Sequence, residues 1–146
     1  MHIGYRVYPW PLENFGAVFI IPTLQKLSLS NVEVRCTELR SFLKFQGETD
    51  LKDLCIHGAT MSARSLGRML SFPRALSSLR LYQLSDFLWT QEARLPEDQD
   101  RAISRQSASL EVLEVDDIYH PVYIDKSMFP KLREVRGCHE KSSGVL

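Results

Sequence analysis

Aliphatic residues recur along the chain in a short phrase, in which one apolar position is followed by two more at the third and fifth positions after it. Clear copies occupy residues 24–29, 51–56, 76–81 and 110–115, and a weaker copy begins at residue 132. Side chains alternate across a β-strand, so the last two apolar positions of each copy point to one face. Each copy therefore predicts a short strand that packs this face on a core.

The spacing of the copies predicts stacked units. Their starts lie 27, 25, 34 and 22 residues apart, which leaves room for one strand and a return segment in each unit. The return segments at 37–45, 63–71 and 96–106 carry helical apolar spacing or helix-start signals, so we expect a helix in each. The segment at 119–124 is predicted to be extended instead.

The two ends differ in composition from the repeated part, which spans 22–138. Residues 1–21 hold five aromatic residues and two prolines, which predicts an extended lead-in that either caps the stack or forms an aromatic binding arm. The tail at 139–146 has the composition of turns and disordered segments. An apolar stretch at 86–89 lies outside the repeat spacing and either packs under its own insertion or anchors a partner.

Length and charge narrow the classes of function. A chain of 146 residues with 44% apolar residues suits one domain, and Lys plus Arg equal Asp plus Glu at 18 each. A balanced chain has no field that attracts polyanions, so neither nucleic acid nor a membrane is expected as partner. The uncharged run at 15–25 is too short for a bilayer span, and no secretory signal precedes it. Three cysteines without C-x-x-C spacing fit a reducing compartment, which predicts a cytoplasmic or nuclear protein.

The spaced leucines resemble the leucine-rich repeat, whose pattern is L-x-x-L-x-L-x-x-N/C-x-L. The position that holds Asn or Cys in that family is Val32, Ala59, Leu84 and Ile118 here, so the buried asparagine ladder is missing. The phrases at 21–24, 72–76 and 129–132 are similar to the F-P-x-L repeat entries of large F-box proteins, especially fungal ones. The resemblance implies an α/β fold, a right-handed horseshoe of about four to five irregular repeats with a parallel sheet on its concave face and helices or loops on its convex face.

The resemblance also implies a function. It predicts a protein–protein interaction module, the substrate-recognition part of an F-box-like ubiquitin-ligase adaptor. Nothing in the chain resembles the F-box itself, so binding to the Skp1 adaptor is not expected. The alternative is a truncated structural fragment of a larger leucine-rich-repeat protein, with no activity of its own.

The predicted sheet also places polar residues in columns. Residues between the aliphatic positions face away from the core, about 4.8 Å from their equivalents in the next strand. One such column contains Lys26, Asp53, Ser78, Val112 and Glu134.

Two further columns contain the candidate binding residues. We expect His57, Arg80, Tyr82, Glu114 and Asp116 to form a polar groove whose aromatic and guanidinium groups bind a protein. The alternative is that opposite charges on adjacent strands only satisfy one another.

A metal site is the sharpest chemical alternative. Cys55, His57, Cys138 and His139 are ligand types for zinc. The strands that carry the two pairs would lie three spacings apart, roughly 14 Å, whereas zinc ligands converge to about 2.3 Å from the ion. The same separation excludes a disulfide between Cys55 and Cys138, so neither a metal nor a cofactor is expected.

A catalytic site is equally unsupported by the sequence. His57, Tyr82 and Asp116 could act with Ser30 or Cys55 as nucleophile, but a row of side chains on a sheet lacks a pocket and oxyanion donors. No Gly-x-Ser-x-Gly, phosphate-binding glycine loop or His-Glu-x-x-His motif is present. We therefore expect that the protein is not an enzyme.

Overall fold

The computed structural model describes residues 1–4, 10–11, 18–19, 21–34, 44–61, 63–83, 97–116 and 122–140. These residues form a mixed α/β structure with parallel sheets and few helices. In chain order, its strands are β1 (His2–Gly4), β2 (Trp10–Pro11), β3 (Lys26–Ser30), β4 (Val32–Val34), β5 (Asp53–His57), β6 (Thr60–Met61), β7 (Ser78–Tyr82), β8 (Val112–Asp116), β9 (Val122–Ile124), β10 (Glu134–Arg136) and β11 (Cys138–Glu140).

The repeated phrases form the main sheet, which has six parallel strands in the order β1, β3, β5, β7, β8, β10. From β3 to β10, each strand pairs with its neighbour so that equivalent positions of the repeated phrase lie side by side. One row of the sheet consists of Leu27, Leu54, Leu79, Leu113 and Val135. The strands predicted from the phrases, and their parallel pairing, are confirmed.

A left-handed residue follows most strands of the main sheet. These residues, with φ between 51° and 75°, are Asn31, Gly58, Gln83 and Gly137. In the first three, the amide N–H donates to the carbonyl of the last residue in the neighbouring strand, at 2.8 to 3.0 Å. The turn therefore extends the hydrogen-bonded ladder by one residue while it redirects the chain.

Beyond these turns the chain pairs again. One small parallel sheet contains β2, β4 and β6, and another contains β9 and β11. His139 and Glu140, which the sequence placed in the tail, belong to β11. They are held because β11 pairs with β9 and because Lys126 Nζ lies 2.7 Å from Glu140 Oε1. Residues 141–146 of the predicted tail lie outside the described residues.

The predicted lead-in is part of the sheets. β1 pairs with β3 and β2 pairs with β4, so the sheets begin before residue 22, where the sequence placed the boundary. Val18 and Phe19 are buried, and the Phe19 ring stacks on Phe72 with centroids 6.0 Å apart. The remaining lead-in residues, 5–9, 12–17 and 20, lie outside the described residues.

Within the described residues, two helices cover the core side of the main sheet. They are α1 (Ala63–Met69) and α2 (Glu97–Ser104), which pack against each other and agree with the predicted helices at 63–71 and 96–106. The predicted helix at 37–45 and the stretch at 86–89 lie largely or wholly outside the described residues. Val122–Ile124 is extended, as predicted, and a 3-10 turn at Lys126–Met128 follows it.

The core fills the space between the main sheet and the helices. Leu54, Leu79 and Leu113, which share one slot of the phrase, are at most 1% exposed. Leu66 and Met69 from α1, and Leu70 directly after it, are also buried, so these helically spaced residues form an apolar stripe that faces the core.

No helix among the described residues is long and apolar enough to cross a membrane.

One buried polar residue, Gln106, connects three segments. Its Nε2 donates to the carbonyls of Leu70 and Pro73, at 2.6 and 2.9 Å. Its Oε1 accepts from the N–H of Leu76, at 3.0 Å. The side chain thereby ties the end of α2 to the end of α1 and to the turn that leads into β7.

Candidate functional site

The main sheet brings the five predicted binding residues together. Arg80 pairs with Glu114 in the strand register, and Tyr82 stands between His57 and Asp116. All five lie on the face of the sheet away from the core, which we call the open face. We refer to these five residues as the open-face patch.

Glu114 is the electrostatic centre of the patch. The Nε atom of Arg80 lies 3.5 Å from Glu114 Oε2, and the two side chains are 44% and 26% exposed. On the other side, burial together with the hydrogen bond and charge of Glu114 raises the pKa of Tyr82 to about 12. The phenol therefore stays protonated at neutral pH and remains a hydrogen-bond donor to the carboxylate.

His57 is held by two neighbours. Its ring meets the Tyr82 ring edge-on, with centroids 5.9 Å apart and planes at 75°. Its Nε2 lies 3.1 Å from Gln83 Oε1. The sequence did not indicate Gln83, because its place beside His57 depends on the left-handed turn that follows β7.

A cavity lies on the open face beside the patch, toward β3. It has a volume of about 400 Å³, and Lys26, Asp53, Cys55 and Arg80 are among the residues that line it. Burial raises the pKa of the Cys55 thiol, and the positive charge of Arg80 offsets only part of this effect. The thiol is therefore less ionised, and less nucleophilic, than a free cysteine.

Some columns on the open face differ from the prediction. Ser78 and Val112, expected to be exposed, are each only 7% exposed. Both are short side chains in interior strands, where neighbours on either side shield them. Arg136 is the register neighbour of Glu114, but its Nη2 lies 3.3 Å from Glu134 Oε1 in its own strand.

The four candidate zinc ligands are divided between different sheets. Cys55 and His57 lie in β5 of the main sheet, whereas Cys138 and His139 lie in β11 of a small sheet. His139 contacts the Tyr123 ring instead, with centroids 5.3 Å apart. The sequence placed both pairs in one sheet, whereas the structure places them in two.

The chain matches no protein-family model, no curated protein and no solved structure. Function is therefore inferred from the fold and from the open-face patch.

Proposed function

We propose that the protein is a protein–protein interaction module that binds its partner through the open-face patch. The observation that carries this proposal is the placement of Arg80 and Tyr82 side by side on β7, in the interior of a six-stranded sheet. Arg and Tyr are the residue types that most often supply binding energy at the centre of protein interfaces. Glu114 and His57 hold both side chains in place, so little conformational entropy is lost when a partner binds.

The fold is proposed to be a leucine-rich-repeat solenoid. Supporting it are the parallel strands that follow one another in chain order, and the row of leucines in matched slots. In such a right-handed horseshoe, the open face is the concave surface and α1 and α2 lie on the convex side. By the resemblance to F-box proteins, the partner is a protein that is delivered for ubiquitination. This chain itself is not expected to bind Skp1 directly.

We further propose that the open face binds and does not catalyse. Among the residues that the structure describes on this face, Cys55 and Tyr82 have shifted pKa values, and both are raised, which is the direction that weakens a nucleophile. The patch is a row along the sheet, in which Glu114 is paired with Arg80 and Tyr82. These features suit recognition of a polar surface on another protein.

The proposal is tested by removing the two central side chains. Changing Arg80 and Tyr82 to Ala should leave the fold intact, because both side chains point away from the core. The same change should weaken binding of the partner by more than about 2 kcal/mol. Proximity labelling in native extract, compared between parent and double variant, measures the loss. Circular dichroism confirms that the double variant is folded.

The matched control removes the same residue types elsewhere. Tyr123, on β9, and Arg133, before β10, are exposed and lie outside the patch. Changing both to Ala should retain the labelled partners. Loss of the partners in the control, or their retention in the Arg80 and Tyr82 variant, would place binding on another surface and overturn the proposal.

A further inference from the structure

The strand β10 forms one edge of the main sheet. Among the residues that the structure describes, no strand pairs with its outer side. The residues that occupy core slots here, Leu132, Val135 and Cys138, are only partly buried, whereas Leu79 and Leu113 in inner strands are fully buried. An unpaired strand edge beside half-covered apolar side chains is a surface on which another strand pairs readily.

The direction of the hydrogen bonds identifies the free backbone groups. The N–H of Glu134 donates to the Glu111 carbonyl on the β8 side, at 3.1 Å. Backbone groups alternate in direction along a strand, so the N–H and C=O of Val135 point to the outer side.

The inner strands show which groups flank Val135 on that side. The Ser77 carbonyl, at the position equivalent to Arg133, accepts from the N–H of Val112 in the next strand. By the same alternation, the N–H of Gly137, two residues after Val135, also points to the outer side. The outer edge of β10 therefore offers the Arg133 carbonyl, both groups of Val135 and the Gly137 N–H.

This set of groups is self-complementary under a two-fold axis. If two copies of β10 run antiparallel with Val135 opposite Val135, each Val135 N–H meets the carbonyl of the other. In the same register, the Gly137 N–H of each copy stands opposite the Arg133 carbonyl of the other. All four outward groups of each edge are then paired.

The charges agree with the same register. Glu134 and Arg136 flank Val135 on the open face, and antiparallel pairing puts Glu134 of one copy opposite Arg136 of the other, twice. Opposite charges directly across a strand pair are favourable, and like charges are unfavourable. Within one chain Arg136 Nη2 lies 3.3 Å from Glu134 Oε1, so the antiparallel arrangement would extend this pair to four side chains of alternating charge.

We propose that the outer edge of β10 is a homodimerisation site, at which a second copy of this chain pairs antiparallel about Val135. A two-fold axis perpendicular to the sheet keeps the core sides of both copies together, so Val135 packs beside its equivalent. The main sheet becomes continuous across twelve strands, six from each copy. Both open-face patches then face the same side. This site is separate from the partner-binding patch and does not depend on it.

The test exchanges the two charges. The parent chain should show a monomer–dimer equilibrium in sedimentation experiments over about 1 to 100 μM, a range suited to a small interface. Glu134→Arg leaves two positive charges on each edge, and Arg136→Glu leaves two negative charges. Either change should weaken self-association about tenfold, because like charges then stand opposite each other.

Two further samples separate this interface from a general effect on folding. The double variant Glu134→Arg/Arg136→Glu restores opposite pairs and should dimerise like the parent. An equal mixture of the two single variants should form a heterodimer, since Arg then faces Glu at both positions. A monomeric parent, or single variants that dimerise as well as the parent, would overturn the proposal, as would a double variant that stays monomeric.

Discussion

Single residues set the chemistry of the open face and the order of the core. Glu114 sits between a guanidinium and a phenol, and it affects both: it pairs with Arg80 and, after burial, is the next cause of the raised pKa of Tyr82. In the core, Gln106 donates to backbone carbonyls of the preceding unit and accepts from the backbone at the start of its own unit. A buried amide with fully used donors and acceptor fixes the relative position of the segments it joins.

The pKa of Tyr82 gives a prediction at this scale. Glu114→Gln should lower that pKa from about 12, although burial should keep it above the ordinary value of about 10. Alkaline titration of tyrosinate absorbance measures it, with a Tyr82→Phe variant to assign the signal among five tyrosines. Asp116→Asn is the control: Asp116 is the register neighbour of Tyr82, but its charge is not a cause of the shift. An equal effect of both changes would contradict the assignment.

The same shift has a consequence for stability. The pKa of Tyr82 is raised on folding, so the protonated phenol favours the folded state. This contribution is present below about pH 10, the ordinary value, and is lost as the pH rises toward 12. The Tyr82→Phe variant should therefore lose less stability than the parent over this alkaline range.

At the scale of elements, the left-handed turns decide how each strand leaves the main sheet. Gly58 follows β5 and Gly137 follows β10, both left-handed with φ of 73° and 75°, although Gly137 comes two positions earlier in the strand register, opposite Val115. Their surroundings differ: a Cβ at Gly58 would meet the Asn31 backbone nitrogen at 3.7 Å, an ordinary contact, whereas a Cβ at Gly137 would overlap the Val115 carbonyl. The turn after β10 is therefore packed directly against β8.

This difference predicts unequal effects of the same substitution. Gly58→Ala should cost about 1 kcal/mol, the strain of a left-handed alanine. Gly137→Ala should cost clearly more, because the chain must also move away from Val115. Denaturant unfolding of both variants measures the difference in the free energy of unfolding. Equal losses would show that the turn after β10 adjusts freely, contrary to the close packing described above.

At the scale of the whole molecule, one continuous core runs beneath the main sheet. Buried side chains from the phrases, from α1 and from α2 all belong to it. Leu79 lies in the middle of the row of matched leucines and is 0% exposed. A cavity made at this position borders units on both sides, so the lost packing contacts should lower the stability of the whole stack.

Leu79→Ala should therefore destabilise the protein by roughly 2–5 kcal/mol. Ser78→Ala is the matched control on the adjacent position. Ser78 Oγ is buried without a hydrogen-bond partner among the described residues, so its removal should be neutral or stabilising. Thermal and urea unfolding distinguish the two. If Ser78→Ala unfolded the protein while Leu79→Ala did not, the faces of the strands would be assigned backwards.

The repeated phrase by itself determined the strands of the main sheet after β1, their parallel register and the grouping of the patch. This is because the alternation along each strand, and the order in which the copies follow one another, can be read directly from the sequence. Tertiary structure decided the rest. β4, β6, β9 and β11 are two or three residues long and form only against another unit, and β1 completes the sheet from within the predicted lead-in. Likewise, Gln106 acquires its role, and Ser78 its burial, from neighbours some 30 residues distant, which no local pattern encodes.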